Sequence, residues 1–352
     1  MDDNRYLARI ILEQLNAGSP VVLASIVSME GSTPRESGTK MVIGADGTPY
    51  GTVGGGMLEA TVITESAGLR SEQESRFIDF DLTGVDALTD DMICGGKEVL
   101  LLDFIPASDK NRELFRRMNE LIAEGSNFYF ITVFTESGNT TEIKGHCLLF
   151  SSGRTVGDRI LGDETVSEVR DELHNISSTT IMTVDGLKLI LDPVRKIKTL
   201  YCFGAGHVAL PTAHIASMVG FKVVVIDDRD DFACTERFPD ADEVRVIGDF
   251  NHALDGLAID NDSYVIILTR GHTYDRVVLE QALRTGAGYI GMISSRNKRD
   301  SVYRALISEG LATKDELERV HSPIGLAIGG ETPEEIAVSI VGELIFERGK
   351  NS

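Results

Sequence analysis

The stretch Thr199-Leu-Tyr-Cys-Phe-Gly204-Ala-Gly206-His-Val-Ala209 decides the fold of this chain. It reads as an apolar strand followed by a G-x-G-x-x-A turn, and a helical run and a second strand, Phe221–Asp227, come after it. In dinucleotide-binding folds the first glycine makes the tight turn and the second lets a phosphate approach the backbone. The small third residue lets the helix pack closely on the strand. Asp227 ends the second strand, where such folds hold a ribose hydroxyl. The pattern predicts a Rossmann unit that begins past the middle of the chain.

Two domains are predicted. After the glycine turn, strands near residues 243–247, 264–268 and 289–293 alternate with helices, which is typical of a doubly wound parallel sheet. A proline and a basic cluster, Asp192-Pro-Val-Arg-Lys-Ile-Lys198, precede this part. The prediction is therefore an α/β chain with a mixed α/β, glycine-rich N-terminal domain, 1–192, and a C-terminal Rossmann-like domain, 193–352.

Hydrophobic periodicity locates the elements of the first domain. It predicts helices near residues 5–16, 57–69 and 111–123, and strands near 21–27, 40–43, 77–82, 98–104, 128–134, 146–150, 179–184 and 187–191.

Composition excludes several classes of protein. The formal net charge is −21, so binding to nucleic acid or to an anionic membrane surface is not expected. An anionic ligand must then be held by local amides and a few Arg or Lys side chains. The sequence has no signal-peptide core and no apolar run of about 18 residues, and its four cysteines have no metal-ligand spacing. These features predict a cytoplasmic protein.

The candidate site in the second domain consists of residues that follow the strands, because ligands bind beyond the carboxyl ends of strands in such sheets. The candidates are Gly204, Gly206, His207, Asp227, Arg270, His272, Ser295 and Arg296. Hydroxyls, arginines and histidines suit a phosphorylated ligand. Two alternatives stay open at this stage. In the first, the cations that follow Ser295 are ordinary solvated charges, although the dipole at a helix N-terminus disfavours cations there. In the second, His207 only packs against its neighbours and contacts no ligand.

The first domain offers two further candidates. Gly54, Gly55 and Gly56 precede a helix and would expose amides to an anion, unless they only form a crowded turn. Cys94 precedes two glycines in a polar segment, so its thiol can be an exposed nucleophile or a soft-metal ligand. Cys147 and Cys202 lie in apolar strands and are predicted to be packed thiols. The sequence contains no Walker-type phosphate loop and shows no catalytic triad.

These motifs resemble a known family. Gly31-Ser-Thr-Pro-Arg35, Gly51-Thr-Val-Gly54-Gly-Gly-Met-Leu-Glu59 and Cys94-Gly-Gly96 are similar to the N-terminal domain of the xanthine dehydrogenase accessory (XdhC/CoxI) family. The C-terminal domain of that family is matched by the segments Phe203–Ala209, Asp227-Asp-Arg229, Thr269–Asp275, Tyr289–Ile293, Ser295-Arg296, Ser322–Gly325 and Glu331–Val338. The resemblance adds Arg35 to the candidate site residues. Some members have a cysteine where this chain has Met57, which leaves Cys94 as the only candidate thiol. Many have an acid where this chain has Ala327, which weakens the case for chemistry at the loop Gly325-Leu-Ala-Ile-Gly329.

The resemblance implies a non-catalytic maturation factor. Members bind the molybdenum cofactor (molybdopterin), protect it while its sulfido ligand is installed, and pass it to an apo molybdenum hydroxylase such as xanthine dehydrogenase. Partners would then be that hydroxylase and a cysteine desulfurase, with a homodimer left open, and Cys94 would be the ligand to the metal. The alternatives are an NAD(P)-dependent oxidoreductase, which Asp227 would suit, and a nucleotide-sensing regulatory subunit.

Overall fold

The computed structural model describes residues 3–31, 36–81, 96–137 and 140–350. The described chain divides into two compact units on either side of the Lys196–Ile197 bond. None of the helices in these ranges is sufficiently long and apolar to cross a membrane.

The N-terminal unit contains two antiparallel sheets of five strands each. The first has the order β3-β2-β1-β5-β4 and the second β8-β7-β6-β10-β9. Their strands are β1 Val21–Glu30, β2 Lys40–Ile43, β3 Pro49–Gly51, β4 Arg76–Asp81, β5 Lys97–Ile105, β6 Phe128–Ser137, β7 Thr140–Leu149, β8 Thr155–Gly157, β9 Thr180–Val184 and β10 Leu187–Val194.

The described residues of this unit form four α-helices, which cover these sheets: α1 Asp3–Asn16, α2 Gly56–Glu72, α3 Asp109–Ala123 and α4 Asp163–Glu172. The apolar faces of α1 and α3 pack together with β6 and β7 in one hydrophobic cluster. Helix α2 packs on β1, β2 and β5 in another. The periodic apolar residues that predict these helices therefore face the core.

Between the two sheets lies a small apolar contact flanked by buried charges. Phe134 packs with Val27 and Leu101 in this contact. Beside it the ammonium of Lys40 lies 2.9 Å from Oδ1 and 2.8 Å from Oδ2 of Asp192, and both side chains are buried. A second buried pair joins Asp103 to His146, with Oδ2 and Nε2 separated by 2.6 Å. Buried pairs of this kind hold only if both partners are present, so they tie the sheets together.

One buried carboxyl of this unit has no such partner. Glu98, on β5, is out of contact with solvent, and neither of its side-chain oxygens makes a hydrogen bond in the described part of the chain. Burial raises the pKa of Glu98 above its usual range.

The C-terminal unit is built on a six-stranded parallel sheet with the order β13-β12-β11-β14-β15-β16. Counted within the unit this order is 3-2-1-4-5-6, which is that of dinucleotide-binding Rossmann folds. The strands are β11 Thr199–Phe203, β12 Lys222–Asp227, β13 Glu243–Val246, β14 Ser263–Ile267, β15 Tyr289–Met292 and β16 Val320–His321. The predicted fold class is confirmed.

Helices cover both faces of this sheet. They are α5 Ala209–Met218, α6 His272–Leu283, α7 Arg296–Ser308, α8 Lys314–Glu318 and α9 Pro333–Lys350. The sheet residues on one face pack with α5 and α9, and those on the other face pack with α6 and α7. The four central strands, β11, β12, β14 and β15, are buried on both sides along nearly their whole length, which explains their nearly continuous apolar sequences.

The predicted helices between β12 and β13 and between β13 and β14 are wrong. The first connection is a series of turns, and the second contains only a single 3₁₀ turn, Phe250–His252. Both connections are rich in Asp, which competes with helix by local hydrogen bonding. The first also contains Pro239, which lacks the amide that a helix requires, and the second contains Asn251 and Asn261.

Candidate cofactor site

The glycine turn after β11 forms as the fingerprint predicts. Gly204 has a φ of 110°, and a Cβ there would lie 2.3 Å from the carbonyl oxygen of Leu268. Only glycine fits, because the turn must pass directly over the end of the neighbouring strand β14. Ala209, at the first position of α5, is fully buried, which permits the close packing of helix on strand.

Gly206 has a different environment. A Cβ at this position would meet no atom within 4 Å, so its lack of a side chain is not demanded by packing inside the chain. Among the described residues, no acceptor is bonded to the amides of Gly206 and His207, and the His207 side chain is exposed. Free amides just ahead of a helix are anion-binding groups. The backbone here presents donors to an open space.

Asp227 does not face this open space with a free carboxylate. It is 1 % exposed and accepts hydrogen bonds from the Ala205 amide at 2.7 Å and from the Arg229 amide at 3.1 Å. The Arg229 guanidinium adds two more at 2.8 Å and lies over the ring of Phe232. Burial alone would raise the pKa of Asp227, but Arg229 and the Ala205 amide outweigh it and lower that pKa. The ribose-binding role of Asp227 stays a prediction, and the carboxylate holds the glycine turn in place.

The other predicted residues of this unit come together at the carboxyl edge of β14 and β15. Arg270 forms a two-pronged ion pair with Asp228, with one N···O distance of 2.7 Å, and its guanidinium lies over Tyr274. His272 is the first residue of α6. Ser295 caps α7, its hydroxyl accepting from the Lys298 amide at 3.3 Å.

Arg296 opens α7, is exposed and has no ion-pair partner within the ranges described. Lys298, which follows it, is committed to the buried Asp275 with an N···O distance of 2.6 Å. Arg296 is therefore the cation of this edge that is available to an anionic ligand.

The glycine run of the N-terminal unit is less open. Gly54, Gly55 and Gly56 all have positive φ angles, of 133°, 86° and 56°. Thr52 accepts a hydrogen bond from the Gly54 amide at 3.2 Å, and Glu59 accepts one from the Gly55 amide at 3.0 Å. Thr52 also donates its hydroxyl proton to Glu59. Two of the amides predicted to receive an anion thus already have acceptors inside the chain.

The predicted thiols separate into two groups. Cys147 and Cys202 are fully buried, as predicted, and burial raises the pKa of Cys147 to about 12 and that of Cys202 further. Both thiols therefore stay protonated and inert at neutral pH. Arg35 and Cys94 lie outside the described residues, so their roles stay predictions. Within the described ranges no three His, Cys, Asp or Glu side chains are grouped to hold a metal ion.

Comparison with known proteins covers both units. The model of the XdhC and CoxI family matches residues 14–81, and that of the XdhC Rossmann domain matches residues 200–344. This chain belongs to the XdhC/CoxI family. A solved structure of a protein named xanthine dehydrogenase, from Bacillus halodurans, is 27 % identical to this XdhC-family chain with a TM-score of 0.80. The match covers 100 % of this chain and 97 % of that one.

Two further relatives are similar in sequence. A protein of Bacillus subtilis (strain 168), named as a probable xanthine dehydrogenase subunit, is 26 % identical over 93 % of each chain. The uncharacterized protein YqeB of Escherichia coli (strain K12) is 26 % identical over 95 % of this chain. The matched region makes up 44 % of the length of YqeB. The names of the two Bacillus proteins link this family to xanthine dehydrogenase.

Sequence reasoning missed the partners of the two aspartates at the end of β12, Asp227 and Asp228. Asp228 bonds to Arg270, 42 positions away, and no local pattern reports such a pair. The short spacing of Asp227 and Arg229 was the one feature of the sequence that could have predicted the ion pair between them.

Proposed function

We propose that this protein binds the molybdenum cofactor, holds it while its sulfido ligand is installed, and delivers it to an apo molybdenum hydroxylase of the xanthine dehydrogenase type. The observation that carries the proposal is the open glycine turn before α5. The free amides of Gly206 and His207 suit the terminal phosphate of a pterin cofactor in a chain of net charge −21. Arg296, on the same sheet edge, adds a cation that no carboxylate of the described chain neutralises.

The cofactor would supply the soft metal and its sulfur ligand, and the residues of the chain would bind and orient it. Gly206 and His207 would hold the phosphate, and Cys94, as predicted from its sequence context, would be the metal ligand. The NAD(P)-dependent alternative is less well supported. The carboxylate of Asp227 already accepts four hydrogen bonds, so it has little capacity left for a ribose.

The test is a comparison of cofactor content in two glycine variants. Gly206→Val places a branched side chain where backbone must meet the phosphate, so protein purified from a molybdenum-replete host should lose most of its bound molybdenum and pterin. Gly286→Val is the matched control, because Gly286 precedes β15 at the opposite edge of the sheet and a Cβ there makes only an ordinary contact. Metal analysis and pterin fluorescence give the occupancy, and thermal unfolding checks the fold.

Equal cofactor content in both folded variants and the wild type would show that the turn does not hold the phosphate. Bound nicotinamide in place of pterin would support the oxidoreductase alternative. Delivery is tested by co-purification of this protein with a molybdenum hydroxylase. The apo form of the hydroxylase should bind this protein more tightly than the cofactor-loaded form does. A factor that binds both forms equally cannot drive transfer in one direction.

A further inference from the structure

A cavity of about 350 Å³ lies in the Rossmann unit between α7, α8 and β16. Each element contributes one face to it. Its lining residues are Arg299, Asp300, Tyr303 and Ile307 of α7, Lys314, Leu317 and Glu318 of α8, and Val320 and Ser322 at β16. The volume falls in the usual range for small-molecule sites.

The cavity has an apolar floor and one buried donor without a partner. Leu317 and Val320 are buried and form the floor. The hydroxyl of Tyr303 is buried and makes no hydrogen bond within the described residues. Ser322 is close enough to influence its pKa, but the Ser322 hydroxyl bonds instead to Ser294 at 2.8 Å and to the Met292 carbonyl at 3.2 Å. Burial raises the pKa of Tyr303, so the phenol keeps its proton and remains a donor.

Among the described residues that line the cavity, one cation has no ion-pair partner. Arg299 donates to its neighbour Asp300 and to the Ser322 carbonyl. Lys314 is exposed and makes no ion pair in the part of the chain that the structure describes. Glu318, one helical turn further along α8, is also exposed, where solvent and salt screen its repulsion of an anion. The uncommitted donors are thus the Tyr303 hydroxyl and the Lys314 ammonium.

We propose that this cavity is a second small-molecule site, which binds a small organic acid. Its carboxylate or phosphate accepts a hydrogen bond from Tyr303 and pairs with Lys314, while its apolar body lies on Leu317 and Val320. An acceptor from the ligand would satisfy the Tyr303 hydroxyl, which is a buried donor without a partner among the described residues. Native structures rarely leave such a donor unsatisfied.

The site is separate from the glycine turn. Three strand spacings separate β16 from β11, which is about 14 Å at the usual distance of 4.7–4.9 Å between neighbouring strands. The proposal therefore does not depend on what the turn binds.

The test uses benzoate and phenyl phosphate as probes, titrated into the full-length protein and followed by ligand-observed NMR. Tyr303→Phe and Lys314→Gln should each weaken binding about three- to tenfold, the loss expected for one hydrogen bond or ion pair. Arg304→Gln is the control, because Arg304 is exposed on α7 and does not line the cavity. Within the described residues its side chain bonds only to the Asp300 carbonyl. Gly206→Val should leave binding unchanged.

The two probes separate the sources of the ligand, because a preference for benzoate indicates a carboxylate and one for phenyl phosphate a phosphate monoester. Absence of binding by both probes would overturn the proposal. So would equal affinity in the wild type, Tyr303→Phe and Lys314→Gln, or inorganic phosphate binding as tightly as phenyl phosphate.

Discussion

The two glycine runs of this chain, Gly204–Gly206 and Gly54–Gly56, both precede a helix, and an acid bonds to an amide in each. In the Rossmann unit Asp227 accepts from the Ala205 amide, and the amides of Gly206 and His207 have no acceptor within the described residues. In the N-terminal unit Glu59 and Thr52 take the amides of the glycines themselves. The first arrangement braces an open turn, and the second closes the turn on itself. The position of the bracing acid, and not the glycine content, thus decides which amides of each run have an acceptor inside the described chain.

The largest effect should follow a side chain at Gly204. Gly204→Ala combines a strained φ with a clash against Leu268, and we expect a loss of about 3 kcal/mol or more in the free energy of unfolding. Gly55→Ala isolates the strain, because its φ is also positive but a Cβ there meets nothing within 4 Å. Its loss should be about 1 kcal/mol. Urea unfolding measures both, and equal losses would mean that the contact with Leu268 does not matter.

A smaller loss should follow the removal of the bracing charge. Asp227→Asn weakens the bonds from Arg229, and we expect a loss of about 2 kcal/mol at neutral pH. The lowered pKa of Asp227 fixes the pH dependence. Its stabilisation is complete above the unfolded pKa of about 3.9 and is lost as pH falls below that value through the folded pKa.

The variant should therefore approach the wild type in stability at acid pH. A difference between them that stays constant from neutral pH down to below the folded pKa would contradict this assignment. Thermal unfolding across the acid range makes the measurement.

Opening the second turn should cost less and change its chemistry. Glu59→Ala frees the Gly55 amide at the N-terminus of α2, with an expected loss of about 1 kcal/mol. Added phosphate should then raise the unfolding temperature of the variant more than that of the wild type. Glu59→Gln is the control, because it keeps an acceptor for the amide. No extra response to phosphate in Glu59→Ala would mean that the run cannot serve an anion even when its amides are free.

The smallest effect should have the opposite sign. Glu98 is a buried acid of the N-terminal unit without a bracing role, and Glu98→Gln should raise stability slightly at alkaline pH, by up to about 1 kcal/mol. The folded pKa of Glu98 is raised, so the stability that its protonated form contributes is complete below the unfolded pKa. That contribution is lost as pH rises through the folded pKa. A destabilised variant at alkaline pH would show that the Glu98 carboxylate has a stabilising partner.

Elements with strong periodicity were predictable from the sequence, and elements with few apolar residues were not. The strand, turn and helix around Gly204 were predicted because each position has a separate physical requirement. Helix α4 was missed because it is polar, with only Thr165 and Val169 buried. The two-residue strand β16 is too short to show a period. In the candidate site the glycines were predictable from backbone demands, but the pairs that Asp227 and Asp228 form depend on which strand ends meet in space.

The pair of Lys40 and Asp192 has a consequence for how the protein folds during its synthesis. The two residues are 152 positions apart, so Lys40 leaves the ribosome first and waits roughly 8 to 30 s for its partner at ordinary rates of synthesis. During that interval its other hydrogen-bond acceptors are Asn4 and the Gly38 carbonyl. Until then the surface of the first sheet around Lys40 lacks its cover from β10, the strand that contains Asp192. A stop or cleavage before Asp192 would leave this surface permanently exposed.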